Sequence, residues 1–444
     1  MFDGRFIYET RAGTRLIRGF VRSGVTVIGI DDTDSRERGM CTTYLAARVA
    51  ARVREVGGGV ERRVLVRLNP AIEHKTRGNA ALAIHTDLDA ETALAVARET
   101  VEALAATDDP RTHPGVVVAP DGAVSESVLE FARRAVRERL TINGARRLIE
   151  SARYRHAGWK NGRGLIGALA AVGSWAAFDE WTYEHIAYRE AHRRGTPREV
   201  DHESVFAAAD WGYPAAWDTV DHDEGSAVCV PHAPGPILYG IRGDDLDVVR
   251  GVADRIESEP IERTGLFVTN QGTDAHLREG IVGELRDGRA YRILGTVSTT
   301  PETRRGGHVF FSIEDGDASL ACAAFEPTKR FRDRVRALRI GDRLTVCGEV
   351  SDGTLKLEKF AVRDLVETER VVPTCPDCER SMESAGRDQG YRCRDCGTSE
   401  SGKVECAIER GLEAGWYEVP PCARRHIAKP LVRGGFDAPI HPER

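Results

Sequence analysis

The sequence predicts a multidomain protein, with α/β and α+β units followed by a small β-barrel of the oligonucleotide-binding (OB) type and a C-terminal zinc ribbon. Three observations carry this reading. Short apolar runs alternate with helix-periodic stretches from Val25 to Val268. From Ala290 to Leu365 the pattern changes to short alternating runs separated by glycine. Two C-x-x-C pairs, Cys375/Cys378 and Cys393/Cys396, then follow. The chain is 444 residues long, and at about 150 residues per domain this agrees with about three compact units.

Residues 1–24 read as an extension without function, because the stretch through Ser23 carries five Arg and little periodicity. Val25 to Ile30 is an apolar run suited to a buried strand, and Leu45, Val49, Val53 and Val56 then recur at helical spacing behind Thr42 and Thr43. Strands over Val64 to Leu68 and Ala80 to Ile84 flank a polar loop. A helix over Glu91 to Ala105, a strand at Val116 to Val118 and helices over Ser125 to Leu140 and Ile142 to Ala152 complete an α/β unit at 25–198. A strand at Ile237 to Ile241, a helix over Leu246 to Ile256 and a strand at Leu266 to Val268 fit an α+β unit at 199–289, its chain open to interleaving with the first. The barrel takes 290–368, with a helical insert around Lys329 to Leu338, and the ribbon 369–402. A basic tail at 403–444 includes Pro420 to Pro430, suited either to RNA phosphate contact or to plain solvation.

Composition narrows the function classes. An apolar share of 41% and a charged share of 30% exclude a mostly disordered chain or a fibre. No run approaches the ~18 apolar residues of a membrane helix, and the start lacks a secretion-signal core, so the expected location is cytoplasmic with no membrane partner. The formal charge of −6, with only seven Lys among 63 basic residues, excludes a uniformly basic surface. Nucleic acid, if bound, has to be held by local Arg clusters. Ten Cys in such a chain argue for metal ligands and buried thiols over disulfides.

The two C-x-x-C knuckles present four thiolates, Cys375, Cys378, Cys393 and Cys396, to one tetrahedral Zn²⁺. The site is closed to water and therefore structural. Cys406 and Cys422 read as spare thiols. Asp31, Asp32 and Asp34 directly follow the first strand, and converging carboxylates of this kind call for a divalent cation such as Mg²⁺. Gly39, Met40, Cys41, Thr42 and Thr43 lead into the next helix, whose free first-turn amides make a seat for phosphate. Together they suit a metal-bound triphosphate, although no Gly-Lys-Ser/Thr of a Walker loop follows. Lys75 and Arg77, in the polar loop after Arg67-Leu68-Asn69-Pro70, suit phosphate oxygens, and Asn79 suits a metal or a ribose. Gly162 to Gly167 matches the dinucleotide fingerprint by letter only. Arg153 to Lys160 before it does not read as a strand, so close packing against a ligand or a neighbouring backbone is expected there. In Thr269 to His276, the lone acid and His read as surface.

Taken in order, Ile30-Asp31-Asp32-Thr33-Asp34-Ser35, Cys41-Thr42-Thr43-Tyr44-Leu45, Arg67-Leu68-Asn69-Pro70, Lys75-Thr76-Arg77-Gly78-Asn79, Thr269 to His276, the barrel and the ribbon resemble the archaeal tRNA-isoleucine 2-agmatinylcytidine (agmatidine) synthetases. The resemblance runs from about Val25 to Pro430. It implies a kinase-like catalytic domain, a ferredoxin-like domain, an OB-fold and a zinc ribbon. It also implies an ATP-dependent ligase that activates C2 of the wobble cytidine in the CAU anticodon of the AUA-decoding isoleucine tRNA and joins agmatine to it. Self-phosphorylation on Thr42 or Thr43 belongs to the same resemblance, as does ATP with Mg²⁺ on Asp31, Asp32 and Asp34. The segment Ser35 to Gly39 is longer and more charged than the family form. Agmatine's cationic groups need a carboxylate, for which Asp210, Asp218 and Asp221 are the candidates in the second unit. The competing readings are a metal-dependent nuclease or phosphodiesterase acting on RNA, and a non-catalytic RNA-binding protein.

Overall fold

The computed structural model describes residues 24–444 apart from positions 38, 74, 76, 77 and 123. The expected extension up to Ser23 and the expected site residue Arg77 lie outside the described residues.

The first unit comprises β1 (Thr26–Asp31), α1 (Thr42–Glu55), β2 (Val60–Arg67), β3 (Ala80–Thr86), α2 (Ala90–Leu104), β4 (Gly115–Ala119), α3 (Glu126–Arg137), α4 (Ile142–Ser151), β5 (Arg155–Gly158) and α5 (Leu165–Ala177). The second comprises β6 (Thr182–Arg189), α6 (His202–Gly212), β7 (Ala216–Trp217), β8 (Ile237–Gly243), α7 (Leu246–Ala253) and β9 (Ile261–Thr269). Their strands form one sheet, in the order β5-β4-β1-β3-β2-β9-β6-β8-β7. The seam between the units is the parallel pairing of β2 with β9, at Val64↔Val268 and Leu65↔Thr269.

Strand β1 is apolar without alternation because both its faces are covered. Val27 joins the core made with α3, α4 and α5, while Ile28 and Ile30 join the core made with α1 and α2. Helix α5 lies very close to the sheet, since a Cβ on Gly29 would sit 2.0 Å from the Ala168 carbonyl oxygen. Helix α2 is set by Asp89, whose carboxylate accepts from the amides of Glu91 and Thr92. The segment Arg155–Gly158, which does not read as a strand, forms the edge strand β5. At an edge, backbone pairing to β4 suffices and no apolar face is needed, so the sequence pattern carries no strand signal.

The barrel follows, with β10 (Leu277–Gly280), β11 (Arg289–Val297), β12 (Glu302–Thr303), β13 (Val309–Asp315), β14 (Ala318–Ala324), α8 (Phe331–Arg336), β15 (Arg343–Ser351) and β16 (Thr354–Asp364). The pairings β11·β13, β13·β14, β14·β16, β16·β15 and β15·β11 close it. The expected helical insert is α8, whose Phe331 and Val335 enter the barrel core.

The basic tail is neither a solvated arm nor a free phosphate-binding surface. Gly415–Glu418 adds a strand to β16. From Arg424 to Arg433 its cations are spent on internal ion pairs: Arg424 with Glu418 at 3.0 Å, Arg425 with Glu349 at 2.8 Å, Lys429 with Glu180 at 3.1 Å and Arg433 with Asp244 at 2.6 Å. Two of these acids, Glu180 and Asp244, lie outside the barrel, so the tail straps the barrel to the sheet. No helix of the described residues is long and apolar enough to cross a membrane.

Candidate active site

The end of β1, the start of α1, the end of β2 and the middle of β6 open onto one cavity of about 740 Å³, a size usual for a small-molecule site. Asp31, Asp32, Asp34, Cys41, Thr42, Thr43, Lys75 and Asn79 all line it. Chemistry separated in the sequence is therefore brought to one place by a strand end, a helix start and a loop.

Asp31 ends β1, and Asp32, at φ 57, turns the chain sharply into the loop. That loop is locked by three bonds. Ser35 Oγ donates to Asp109 at 2.6 Å, Thr112 Oγ1 to the Asp34 carbonyl at 2.7 Å, and the Ala106 amide to the Thr33 carbonyl at 3.0 Å. The Ser35 bond, aided by the Arg111 amide, holds the Asp109 carboxyl down at about 2. Burial drives the Asp31 carboxyl well above its usual range, and the neighbouring Asp32 charge adds to this. Burial also raises Asp32, against the pull of Arg163, whose Nε and Nη2 reach Asp32 Oδ2 at 2.9 and 2.7 Å. The three aspartates are not drawn together as the ribbon cysteines are. Among the described residues, the group whose ligand atoms all lie within 4.8 Å of one another is Cys375, Cys378, Cys393 and Cys396.

Helix α1 begins beside these carboxylates. Its cap residue, Cys41, makes no side-chain cap bond, and its first turn carries no acid, so no capping side chain competes with an anion for the amides of Thr42 and Thr43. Cys41 Sγ lies 3.0 Å from Thr43 Oγ1. Gly39 and Met40 do not line the cavity. A Cβ on Gly39, which stands at φ 73, would lie 3.3 Å from the Gly235 backbone, and Met40 packs on the α1 and α2 core. Lys75 donates to the Pro70 carbonyl, and its ammonium is pushed down, chiefly by burial. Asn79, at φ 45, donates to the Asn69 carbonyl at 2.6 Å.

Asp210, Asp218 and Asp221 are not brought to this cavity. Asp210 pairs with Arg444, Asp218 lies 3.5 Å from Arg424, and Asp221 accepts from Arg330 at 3.0 Å. All three answer cations of the barrel and tail. The buried carboxylate that the second unit does bring to the cavity is Glu184, on β6. Burial pushes it up, but Arg67 and Arg242, at 3.2 and 3.3 Å, outweigh that and hold it below the usual range. The sequence signal for Glu184 is a charged residue within a mostly buried strand. Arg163 was hidden inside the glycine-rich segment. The glycines of that segment serve close packing: a Cβ on Gly164 would lie 2.7 Å from the Asp31 carbonyl oxygen, and one on Gly167 2.0 Å from Asp31 Oδ2.

In the ribbon the two cysteine knuckles repeat one geometry. The amides of Cys375 and Cys393 donate to the carbonyls of Arg380 and Thr398, and those of Glu379 and Gly397 donate back to Cys375 and Cys393. Such a four-sulfur set suits structural zinc. Cys406 and Cys422 stand outside it.

Family models cover most of the chain: the TiaS TCKD domain at residues 27–89 and 85–161, and the TiaS FLD domain at 162–276. An OB-fold nucleic acid binding domain follows at 284–358, and the TiaS C-terminal zinc ribbon domain at 372–412. The chain is 57% identical to the isoleucine-tRNA 2-agmatinylcytidine synthetase TiaS of Haloquadratum walsbyi, with 95% of this chain and 100% of the relative aligned. The chain belongs to the TiaS family. The TiaS of Methanosarcina acetivorans is 46% identical over 94% of this chain and 100% of its own. Among solved structures, the complex of TiaS with isoleucine tRNA and ATP matches with TM-score 0.86 at 42% identity, covering 95% of this chain and 100% of that one. The complex of TiaS with isoleucine tRNA, AMPCPP and agmatine matches with TM-score 0.84 at 40% identity, over 95% and 100%.

Proposed function

We propose that this chain uses ATP to join agmatine to C2 of the wobble cytidine in the CAU anticodon of the AUA-decoding isoleucine tRNA, giving agmatidine. The observation that carries the reading is the single cavity in which Asp31 and Asp32, the start of α1, Lys75 and Glu184 meet. A pyrimidine oxygen is a poor leaving group, so its replacement by nitrogen requires prior phosphorylation. In the first step the cytidine O2 bonds to the γ-phosphorus as the bond from that phosphorus to the β–γ bridging oxygen breaks and ADP leaves. In the second, the agmatine amine nitrogen bonds to C2, the C2–O bond breaks, inorganic phosphate leaves, and the nitrogen gives up a proton to solvent.

The residues fit these steps. Asp31 and Asp32, with Asp34 beside them, would hold Mg²⁺, which usually takes one or two carboxylates together with substrate phosphates. When bound, it offsets charge on the β- and γ-phosphate oxygens. The amides at Cys41, Thr42 and Thr43 seat phosphate, and Lys75, with Arg77, neutralises the charge that spreads in the transition state. Asn79 faces the same nucleotide, and Thr42 or Thr43 is the self-phosphorylated position. The first unit then acts as the kinase-like domain and the second as the ferredoxin-like one. The cytidine has to leave its stack to reach the cavity, while barrel and ribbon grip the tRNA, and the reaction belongs in the cytoplasm.

The test is to incubate the protein with ATP, Mg²⁺, agmatine and the unmodified isoleucine tRNA bearing the CAU anticodon, then weigh the anticodon nucleoside by mass spectrometry. The expected mass gain depends on both small molecules. Cleavage of the tRNA without ATP would instead favour a nuclease.

A further inference from the structure

Arg163 lines the cavity beside Asp32. It immediately precedes Gly164 and α5, and its amide is fixed by Asn161 Oδ1 at 2.9 Å. Its Nε and Nη2 converge on one oxygen of Asp32, at 2.9 and 2.7 Å, and Nη2 also reaches the Arg111 carbonyl at 2.5 Å. Nη1 has no hydrogen-bond partner among the described residues. Asp32 and Arg163 both line the cavity, as do Arg111 and Asn161. A carboxylate oxygen that takes two N–H donors from a guanidinium cannot at once face a divalent cation, because the guanidinium occupies the approach and repels a like charge.

We propose that Arg163 is the resident counter-charge of Asp32, and that it transfers to the triphosphate when Mg·ATP loads, where it contacts the phosphoryl group being moved. The inference rests on the ATP and Mg²⁺ reading given above. Arg163 pairs with the Asp32 carboxylate before nucleotide binds and with phosphate afterwards, two oxygen arrays that a guanidinium fork fits equally well. The carbonyl of Arg111 keeps one corner of the fork anchored while the rest swings. No proton moves in the exchange; one ion pair replaces another.

Two effects of opposite sign are expected. In zinc-loaded, nucleotide-free full-length protein, Arg163→Met should bind Mn²⁺, followed by its electron paramagnetic resonance signal, at least about tenfold more tightly than wild type, because the competing charge is gone. The same variant should form agmatidine on the isoleucine tRNA about 10²- to 10³-fold more slowly at saturating ATP, the loss typical of one transition-state donor. Arg163→Lys keeps the charge without the fork and should fall between on both measures. Asp32→Asn should abolish the tight Mn²⁺ signal, which assigns the site, and thermal melts identify any variant that fails to fold. Unchanged or weaker Mn²⁺ binding by a folded Arg163→Met overturns the counter-charge role. Tighter Mn²⁺ with an unchanged rate overturns the transfer to phosphate. If wild type binds no Mn²⁺ even with ATP present, the metal reading of the site fails instead, an outcome distinct from the other two.

Discussion

Gly167→Ala tests whether the cavity geometry depends on the close approach of α5 to β1. A Cβ at residue 167 would lie 2.0 Å from Asp31 Oδ2 and 2.5 Å from its Cγ, whereas real contacts of this kind do not fall under 3.0 Å, so something must retreat by about 1 Å. The backbones cannot supply that movement, because α5 already rests on β1 at Gly29 and on β4 at Gly115, where a Cβ would meet Ala168 O at 2.0 Å and Leu165 N at 2.2 Å. The Asp31 carboxylate must therefore turn away. Overpacking costs about 1–3 kcal/mol of stability, and the better helix propensity of Ala returns about 1 kcal/mol. The net loss of about 0–2 kcal/mol leaves the protein folded. A misplacement of about 1 Å costs about 10²-fold in rate. The assay is the initial rate of agmatidine formation at saturating ATP and agmatine, with urea unfolding in parallel. Gly158→Ala serves as control, since its nearest contact would be an ordinary 3.4 Å, and should keep the wild-type rate. A folded Gly167→Ala enzyme within threefold of wild type would refute the argument that α5 positions Asp31.

Three further outcomes follow from the same structure. Glu184→Gln leaves the Arg67 and Arg242 guanidiniums facing a neutral amide, and breaking a buried pair of this kind should cost about 3–5 kcal/mol in urea unfolding, together with activity. Cys396→Ser, or a strong chelator, should take zinc content by mass spectrometry from one per chain towards none and weaken tRNA binding while ATP binding persists, because the four thiolates lie far in sequence from the cavity. His85 is buried with neither ring nitrogen partnered among the described residues, so His85→Leu should raise stability at neutral pH by about 1–3 kcal/mol in urea unfolding. Burial, with Arg62 adding, lowers His85 to about 3 from 6.5, so the unfolded chain takes up the proton first. The wild type should then lose stability as pH falls from about 6.5 towards 3, and the Leu variant should lose less.

What the sequence displayed was chemistry attached to a local element. Asp31, Asp32 and Asp34 end a strand, and Thr42 and Thr43 begin a helix, so their convergence needs only one strand-loop-helix turn. Lys75 and Asn79 enter through the loop between two neighbouring strands. The ribbon is legible for the same reason, since its spacing alone encodes the ligand geometry. Arg67 and Glu184 stand 117 positions apart, and they meet only because β9 inserts beside β2 and carries β6 next to it. No local pattern contains that crossover. Asp210, Asp218 and Asp221 stand out in the sequence by charge alone, and charge does not reveal whether an acid faces a ligand or a distant arginine of the same chain.

The segment Thr269 to His276 shows how such long-range order is set, and it is not a surface run. Asn270 imitates a strand partner for Arg67, accepting from its amide at 2.7 Å and donating to its carbonyl at 3.1 Å. Gln271 takes Arg67 Nε at 2.8 Å, and His276 Nε2 lies 3.1 Å from the Arg67 carbonyl. The Arg that holds Glu184 is thereby fixed at backbone and side chain by one loop. That loop is itself pinned from outside the sheet: Asp274 accepts from Lys359 Nζ on β16 at 2.5 Å and from the Lys429 amide of the tail at 2.6 Å. Lys359 is 1% exposed, so its charge cannot turn to water if the barrel shifts. A displacement of the barrel must either break this buried pair or carry the loop and Arg67 with it. The wall of the cavity is therefore referenced to the barrel, which matches the OB-fold nucleic acid binding domain, and the tail's cations, by strapping the barrel down, bear on the geometry of the cavity without lining it.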